Sequence, residues 1–225
     1  MPPFVRAVLE VVIGLLLIAL AWAIAEPLID NATMLPRLPV VLQKAVELAR
    51  SSEYLRHATD SGTALALGLL PALGVGLLVG ACAGLSPVLR WLIAPLAVTL
   101  GTTPMFALVP SLIIWFGFTM VTKAVTVFAV AAFPVMTMMV ATRAKAGGTS
   151  HVCAILANLR LGLVLGVSAL VVVEFLASDR GAGQFILRSA TMLDTTSAMA
   201  GFLLVAVPTI VMAAFLQAIQ EQVTG

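Results

Sequence analysis

Charge is scarce in this chain. Only 10 % of its 225 residues are Asp, Glu, Lys or Arg, against about 25 % in an ordinary soluble domain. Apolar residues make up 61 %, and the mean hydropathy of +1.14 over the whole length leaves little room for a soluble domain. Cysteine and histidine are nearly absent, with two of each. Cys82 and Cys153 lie far apart and form no CxxC, and His57 and His151 stand away from other ligand types. That spacing gives no metal site and no redox pair, and both cysteines read as small buried thiols. The twelve basic residues are scattered without a basic stripe, which excludes a nucleic-acid footprint. Walker A, HExxH and GxSxG patterns are missing, and no acid pair falls in a plausible cleft. GAGQF, Gly181 to Phe185, lacks the lysine and the strand-to-helix setting of a phosphate loop. No catalytic residue, metal or cofactor is therefore expected.

What is present is a series of apolar runs, each long enough to cross a bilayer. Six are counted: Val8–Ala25, Ser61–Leu85, Trp91–Phe116, Val121–Ala141, Ile155–Ala177 and Ala198–Leu216. The expectation is an all-α polytopic membrane protein of about six transmembrane helices, forming one domain over residues 1–225. The first run is followed by Glu26 and Pro27 without a small-x-small cleavage site, so it reads as a retained helix rather than a signal peptide. Val40–Leu48 has helical periodicity after Pro39 and predicts a surface helix. SPVLR, Ser86 to Arg90, reads as a short turn between the second and third spans.

Six spans put both termini on one side. Arg6, Arg90, Arg143, Lys145 and Arg160 then share the terminal side, and Arg37, Lys44, Arg50, Arg56, Lys123, Arg180 and Arg188 the other. The Lys/Arg count alone does not place the termini inside.

Two spans carry local signals. In the second, Ala64, Gly68, Ala72, Gly76, Gly80 and Gly84 recur every four residues. They form a ridge of small residues that lets helix backbones approach closely. Gly162 and Gly166 do the same on the fifth span. The third span is interrupted by Pro104 and Pro110. Each removes an N–H and frees a carbonyl four residues back, which must be satisfied again in hydrocarbon. Thr102 and Thr103 suit that task. Broken helices often line substrate paths, so Thr102, Thr103, Met105 and Phe106 are candidates for a path, with a simple kink as the alternative. Glu174, after a run of valines near the end of the fifth span, is costly unless paired or wetted. It lines the path at its outer gate, pairs with an arginine of a partner chain, or sits at the interface beside Asp179 and Arg180.

The segment PLAVTLGTTPMFALVPSLIIWFG, Pro95 to Gly117, resembles the signature of binding-protein-dependent permeases, in the branch serving nitrate, sulfonate and taurine. MLPRLPVVLQKAVEL resembles the entry segment of that branch. HATDSGTALALGLLPALGVGLLVGACAGLS resembles its second core helix. LRLGLVLGVSALVVVEFLASDRGAGQFIL resembles its "GlRla…vvaEfl…GlGyli" pattern. The resemblance implies a type I ABC importer permease in the bacterial inner membrane, with termini inside. It further implies ATPase subunits that hydrolyse ATP on separate chains, an extracytoplasmic substrate-binding protein and a second permease subunit. One departure stands out. Such permeases carry a cytoplasmic EAA loop whose short helix docks on the ATPase. Here Arg143 to Ser150 offers eight residues including Gly147 and Gly148, ~12 Å even if fully helical. The chain is therefore expected to be the coupling-deficient half of a heterodimer. A stand-alone secondary transporter or channel, or a non-transporting scaffold or sensor, are the alternatives. No intramembrane acid/base chain for ion coupling is visible in the sequence.

Overall fold

The computed structural model describes residues 3–29, 31, 33–144 and 151–224. Among these every regular element is helical. The long elements are α1 (Pro3–Ile29), α3 (Ser52–Leu85), α6 (Met120–Ala144), α7 (His151–Ala177) and α9 (Thr195–Thr224). Shorter ones are α2 (Leu38–Arg50), α4 (Pro87–Thr102), α5 (Val109–Phe116) and α8 (Ala182–Thr191), with a 3₁₀ turn at Met105–Leu108. Five helices are long and apolar enough to span a membrane, and α4 with the 3₁₀ turn and α5 forms a sixth unit bent by 77°. The surface carries large exposed apolar side chains such as Leu78, Trp91 and Ile114, as a lipid-facing surface requires.

The centre is the pair α3 and α6. Gly68, Gly76 and Gly80 face α6 so closely that a Cβ on Gly76 would lie 2.7 Å from Val135 Cγ1, and one on Gly80 2.8 Å from the Met136 carbonyl. Ala64, Ala72 and Gly84 are buried on the same face. Lipid tails are as apolar as leucine, so this association rests on close dispersion contact rather than on water exclusion. From the other side α7 brings Gly162 and Gly166 against Leu65, Leu69 and Leu73 of α3. The resulting core joins Ala64, Leu69, Ala72, Val127, Ala131, Ala169 and Leu170.

The remaining helices frame this core. Helices α1 and α2 pack along α9, and Val41, Ala45 and Leu48 of α2 bury against Tyr54 and Ala200. The predicted surface helix thus exists and extends two residues past each end of Val40–Leu48. The polar stretch before α9 holds the amphipathic α8, whose Phe185 meets Tyr54 edge to face at 5.2 Å.

Two expectations need correction. SPVLR is not a turn: Ser86 caps α4 by accepting from Leu89 N–H at 3.4 Å, Pro87 takes the first helical position, and Val88–Arg90 are already helical. A proline there forfeits only an N–H that has no partner anyway. Cys82 is exposed, whereas Cys153 is buried. The buried stripe of α3 passes through Gly80, Ala83 and Gly84, which turns Cys82 outward. The connection Lys145–Ser150 and the side chain of Arg143 lie outside the described residues.

Candidate functional site: a buried ionic lock and a broken helix

Three charged side chains from three helices meet where α3, α6 and α7 reach the α8 side of the bundle. Glu174 of α7 is fully buried. Its Oε1 accepts from the Ser61 hydroxyl at 2.7 Å, and its Oε2 from the Gly183 N–H at 2.8 Å. Lys123 of α6, also buried, lies 3.5 Å from Glu174 Oε1. Its ammonium is bonded to the Asp60 carboxylate and donates to the Arg180 carbonyl at 2.6 Å. Asp60 keeps part of its side chain in contact with solvent, at 25 % exposure. An ammonium has three protons to give and no lone pair. Asp60, Glu174 and the Arg180 carbonyl are three acceptors for it.

The same carboxylate caps α8 from a distance. The first N–H groups of any helix lack intrahelical partners and attract negative charge. Here Gly183 N–H goes to Glu174, Ala182 N–H to Ser61 Oγ at 2.7 Å, and Gly181 N–H to His57 Nδ1 at 3.1 Å. Gly181 has φ +131°, a backbone region that favours glycine. A Cβ on Gly181 would fall on the Glu174 carboxylate itself, and one on Gly183 would lie 2.9 Å from Glu174 Cβ. The GAG triplet is therefore a cradle for a buried side chain of its own protein.

Above the lock is an open polar basin of about 680 Å³ with walls that include Glu53, Arg56, Asp60, Asp179, Arg180 and Arg188. It mixes both signs of charge. No group of His, Cys, Asp and Glu among the described residues is arranged to hold a metal ion.

The broken span packs on α6 and, through Val109 and Ile113, on Val173 and Ala177 of α7. α4 ends at Thr102, and the chain turns by 77° through Thr103 and Pro104 into the 3₁₀ turn and α5. The hydroxyls fold back on the last turn of α4. Thr102 Oγ1 donates to the carbonyls of Val98 and Thr99 at 3.0 and 3.1 Å, and Thr103 Oγ1 to that of Thr99 at 2.7 Å. Both threonines are exposed on this chain, Met105 is buried, and Phe106 is half-buried against the α3–α6 core. Gly117, at φ +68°, closes α5, and its carbonyl accepts from Thr122 Oγ1 at 2.6 Å, which leads the chain back into α6.

The structure thus separates the candidates. Thr102 and Thr103 sit together at the elbow with Met105 and Phe106 behind them. Glu174 is enclosed between α3, α6 and α8, next to Val173, which packs against Val109 and Ile113 of α5. Its partner is Lys123 of the same chain rather than Asp179 or Arg180 side chains. Asp60, Ser61 and Lys123 did not stand out in the sequence. The usable signal was Lys123 itself, a lysine four residues into an apolar helix, which demands a buried partner. Asp60, Lys123 and Glu174, unconnected in the sequence, form one charged cluster. They are distant in the sequence, and only the helix packing joins them. Its two carboxylates outnumber its one ammonium, but each is held by donors of the same chain, so the cluster has the chemistry of a clamp.

No family model matches the chain. It is 27 % identical to the taurine transport system permease protein TauC of Escherichia coli, over 92 % of this chain and 86 % of that protein. It is 31 % identical to the putative aliphatic sulfonates transport permease protein SsuC of Bacillus subtilis, over 86 % of this chain and 80 % of that protein. It is 23 % identical to the formylaminopyrimidine transport permease protein ThiX of Halalkalibacterium halodurans, over 83 % of each.

Proposed function

The chain belongs to the permease subunits of ABC importers, in the taurine and sulfonate group, and from that premise we propose that it is the coupling-poor half of a permease heterodimer. It is a multi-pass protein of the bacterial cytoplasmic membrane. In the proposed assembly ATP is hydrolysed on separate ATPase subunits, a second permease chain carries the full coupling loop, and an extracytoplasmic binding protein delivers substrate. The polar basin around Arg56, Asp179 and Arg188 suits the docking of that binding protein. The translocation path runs past the α4–α5 elbow, where Thr102 and Thr103 offer hydroxyl oxygens at a break in the helix and Met105 and Phe106 form the wall behind. Glu174 supports this path from within the bundle.

The observation that carries the asymmetric reading is the short connection between α6 and α7. α6 ends at Ala144 and α7 begins at His151. A docking helix of three turns needs about 11 residues before any connector is counted. The length of the alignment supports a shortening of this chain relative to its relatives. The alignment with the Escherichia coli protein runs over 235 positions but takes in 92 % of these 225 residues, about 207, so about 28 positions have no counterpart here.

Purification from native membranes tests this reading. A second permease chain and an ATPase are expected to come away with this one. In the reconstituted transporter, Arg143→Ala with Lys145→Ala should leave substrate-stimulated ATPase activity nearly unchanged, whereas disrupting the partner's coupling helix should abolish it. A fully active homodimer, or strong loss of stimulated activity from the Arg143/Lys145 change alone, would overturn the proposal.

A further inference from the structure

A second cavity has no part in the lock or the elbow. It is a groove of about 650 Å³ between α1, α7 and α9, open along one side. Small residues hollow it out: Gly14 on α1 and Ala206, Ala213 and Ala214 on α9. A Cβ on Gly14 would meet nothing within 4 Å. The walls are apolar, and their two hydroxyls are already committed. Ser168 donates to Val164 O at 2.8 Å and Thr209 to Val205 O at 2.8 Å. One end is polar and lies on the side of the chain termini, where Glu10, Arg160 and Gln217 come together. Glu10 is engaged by Arg6 at 2.9 Å and by Gln217 at 3.4 Å. No carboxylate among the described residues lies within ion-pair distance of the Arg160 guanidinium.

We propose that this groove binds one membrane phospholipid, with an acyl chain between α1, α7 and α9 and its phosphodiester on Arg160. Three observations choose this occupant. The first is length. From Arg160 to Val171, the groove's extent along α7, the rise is about 17 Å, close to half of a ~30 Å hydrocarbon core. Along α9 the lining extends further, from Phe202 to Gln217, so the groove reaches from one interface past the middle of the bilayer. The second is width. The groove is hollowed by Gly14 and three alanines and opens along one side, so a single hydrocarbon chain can slip in from the bilayer. The third is charge. A guanidinium presents a planar fork of donors that fits phosphate geometry, and this one stands at the polar end of the slot with no carboxylate among the described residues within ion-pair distance, Glu10 at the same end being held by Arg6.

The experiment is native mass spectrometry of the intact transporter released from nanodiscs, combined with cross-linking by a phosphatidylglycerol carrying a diazirine in its acyl chain. Retention of one phospholipid per copy of this chain is expected, with cross-links mapping to α1, α7 and α9. Arg160→Gln should weaken retention about tenfold, the loss expected for one charge-assisted hydrogen bond. Gly14→Leu fills open space and should expel the lipid while leaving assembly intact. A phosphate-free diacylglycerol probe should cross-link weakly and be indifferent to Arg160→Gln. The proposal is overturned if phospholipid retention is the same in the wild type and both variants. It is equally overturned if the diazirine never labels the groove while a cysteine at Gly14 cross-links to a second permease chain, which would mean that protein fills this face.

Discussion

Lys123→Met is the sharpest probe of the ionic lock. Methionine keeps the length and apolar stem of lysine and deletes only the charge and its three donors. The change leaves Glu174, at 0 % exposure, with two neutral donors, Ser61 and Gly183, at 2.7 and 2.8 Å. It also strips the Arg180 carbonyl of its 2.6 Å donor. Asp60 is partly wetted, so water absorbs much of its loss. Removing one partner of a buried ion pair costs about 3–5 kcal/mol, and the orphaned carbonyl alone accounts for roughly 1–3 of that. Glu174→Gln in the Lys123→Met background removes the stranded charge and should recover part of the loss, although its amide cannot accept at both oxygen positions. The assay is thermal unfolding in nanodiscs for wild type, both single variants and the double variant, with hydrogen exchange at the first amides of α8 as local readout. Lys123→Met should melt well below wild type, the double variant should sit above it, and Ala182 and Gly183 should lose protection in the single variant. Wild-type melting and unchanged α8 protection in Lys123→Met would refute the argument, because it would mean that the buried carboxylate does not need its cation.

Other outcomes follow from the same geometry. Gly181→Ala sets a Cβ on the Glu174 carboxylate at φ +131° and should cost at least the 1–3 kcal/mol of such backbone strain, measured by the same melt. Gly76→Leu or Gly80→Leu drives a side chain into Val135 or the Met136 carbonyl; a loss of about 1–3 kcal/mol or failed assembly is expected, and normal assembly of both would place that face toward lipid. In a background lacking Cys82 and Cys153, cysteines at Thr102 and Thr103 of the assembled transporter should react with small water-soluble thiol reagents, and those at Met105 and Phe106 more slowly, since they are covered; silence at all four would remove the path from the elbow. Asp194 Oδ1 accepts from the Ser197 N–H at 3.0 Å at the start of α9, and hydrogen bonding to Ser197 holds its carboxyl below the usual range. Its folded value is lowered, so its stabilisation is complete above the unfolded value of about 3.9 and fades as pH falls through the lower folded value; Asp194→Ala should cost about 0.5–2 kcal/mol near neutrality and flatten the melting profile between roughly pH 5 and 3.

The glycine ridge of α3 was legible because small residues at a spacing of four in an apolar run have one physical use, close helix approach, and the structure puts Gly68, Gly76 and Gly80 against α6. The break in the third span was legible because Pro104 lacks the N–H that a continuous helix requires. The lock was not. Asp60, Lys123 and Glu174 sit on three helices, each looks like an isolated charge near the end of an apolar run, and no periodicity links them. GAGQF was set aside as a phosphate loop, and its role as a cradle for Glu174 depends on a carboxylate reached only through the tertiary fold. SPVLR misled because its proline and serine are turn residues and also the residues that start a helix. Arg160 stood in the sequence only as one of the basic residues on the terminal side, and the groove beside it emerges only when α1 and α9 are placed next to α7.

Helix α3 has 34 residues, about 51 Å of rise, and therefore outreaches the hydrocarbon layer by some 20 Å. Pro71, near its middle, is the natural place for such a rod to flex. Both arms are gripped, however: Asp60 and Ser61 by the charged cluster on one side of the proline, Gly76 and Gly80 by α6 on the other. A splint fastened above and below a joint immobilises the joint. Helices α3 and α6 should thus swing together as one stiff strut, and a displacement imposed at the basin end should reappear, reversed in direction, at the Ser86 corner. Spin labels placed on the two helices should accordingly keep a fixed separation through the transport cycle while their distance to the partner subunit changes.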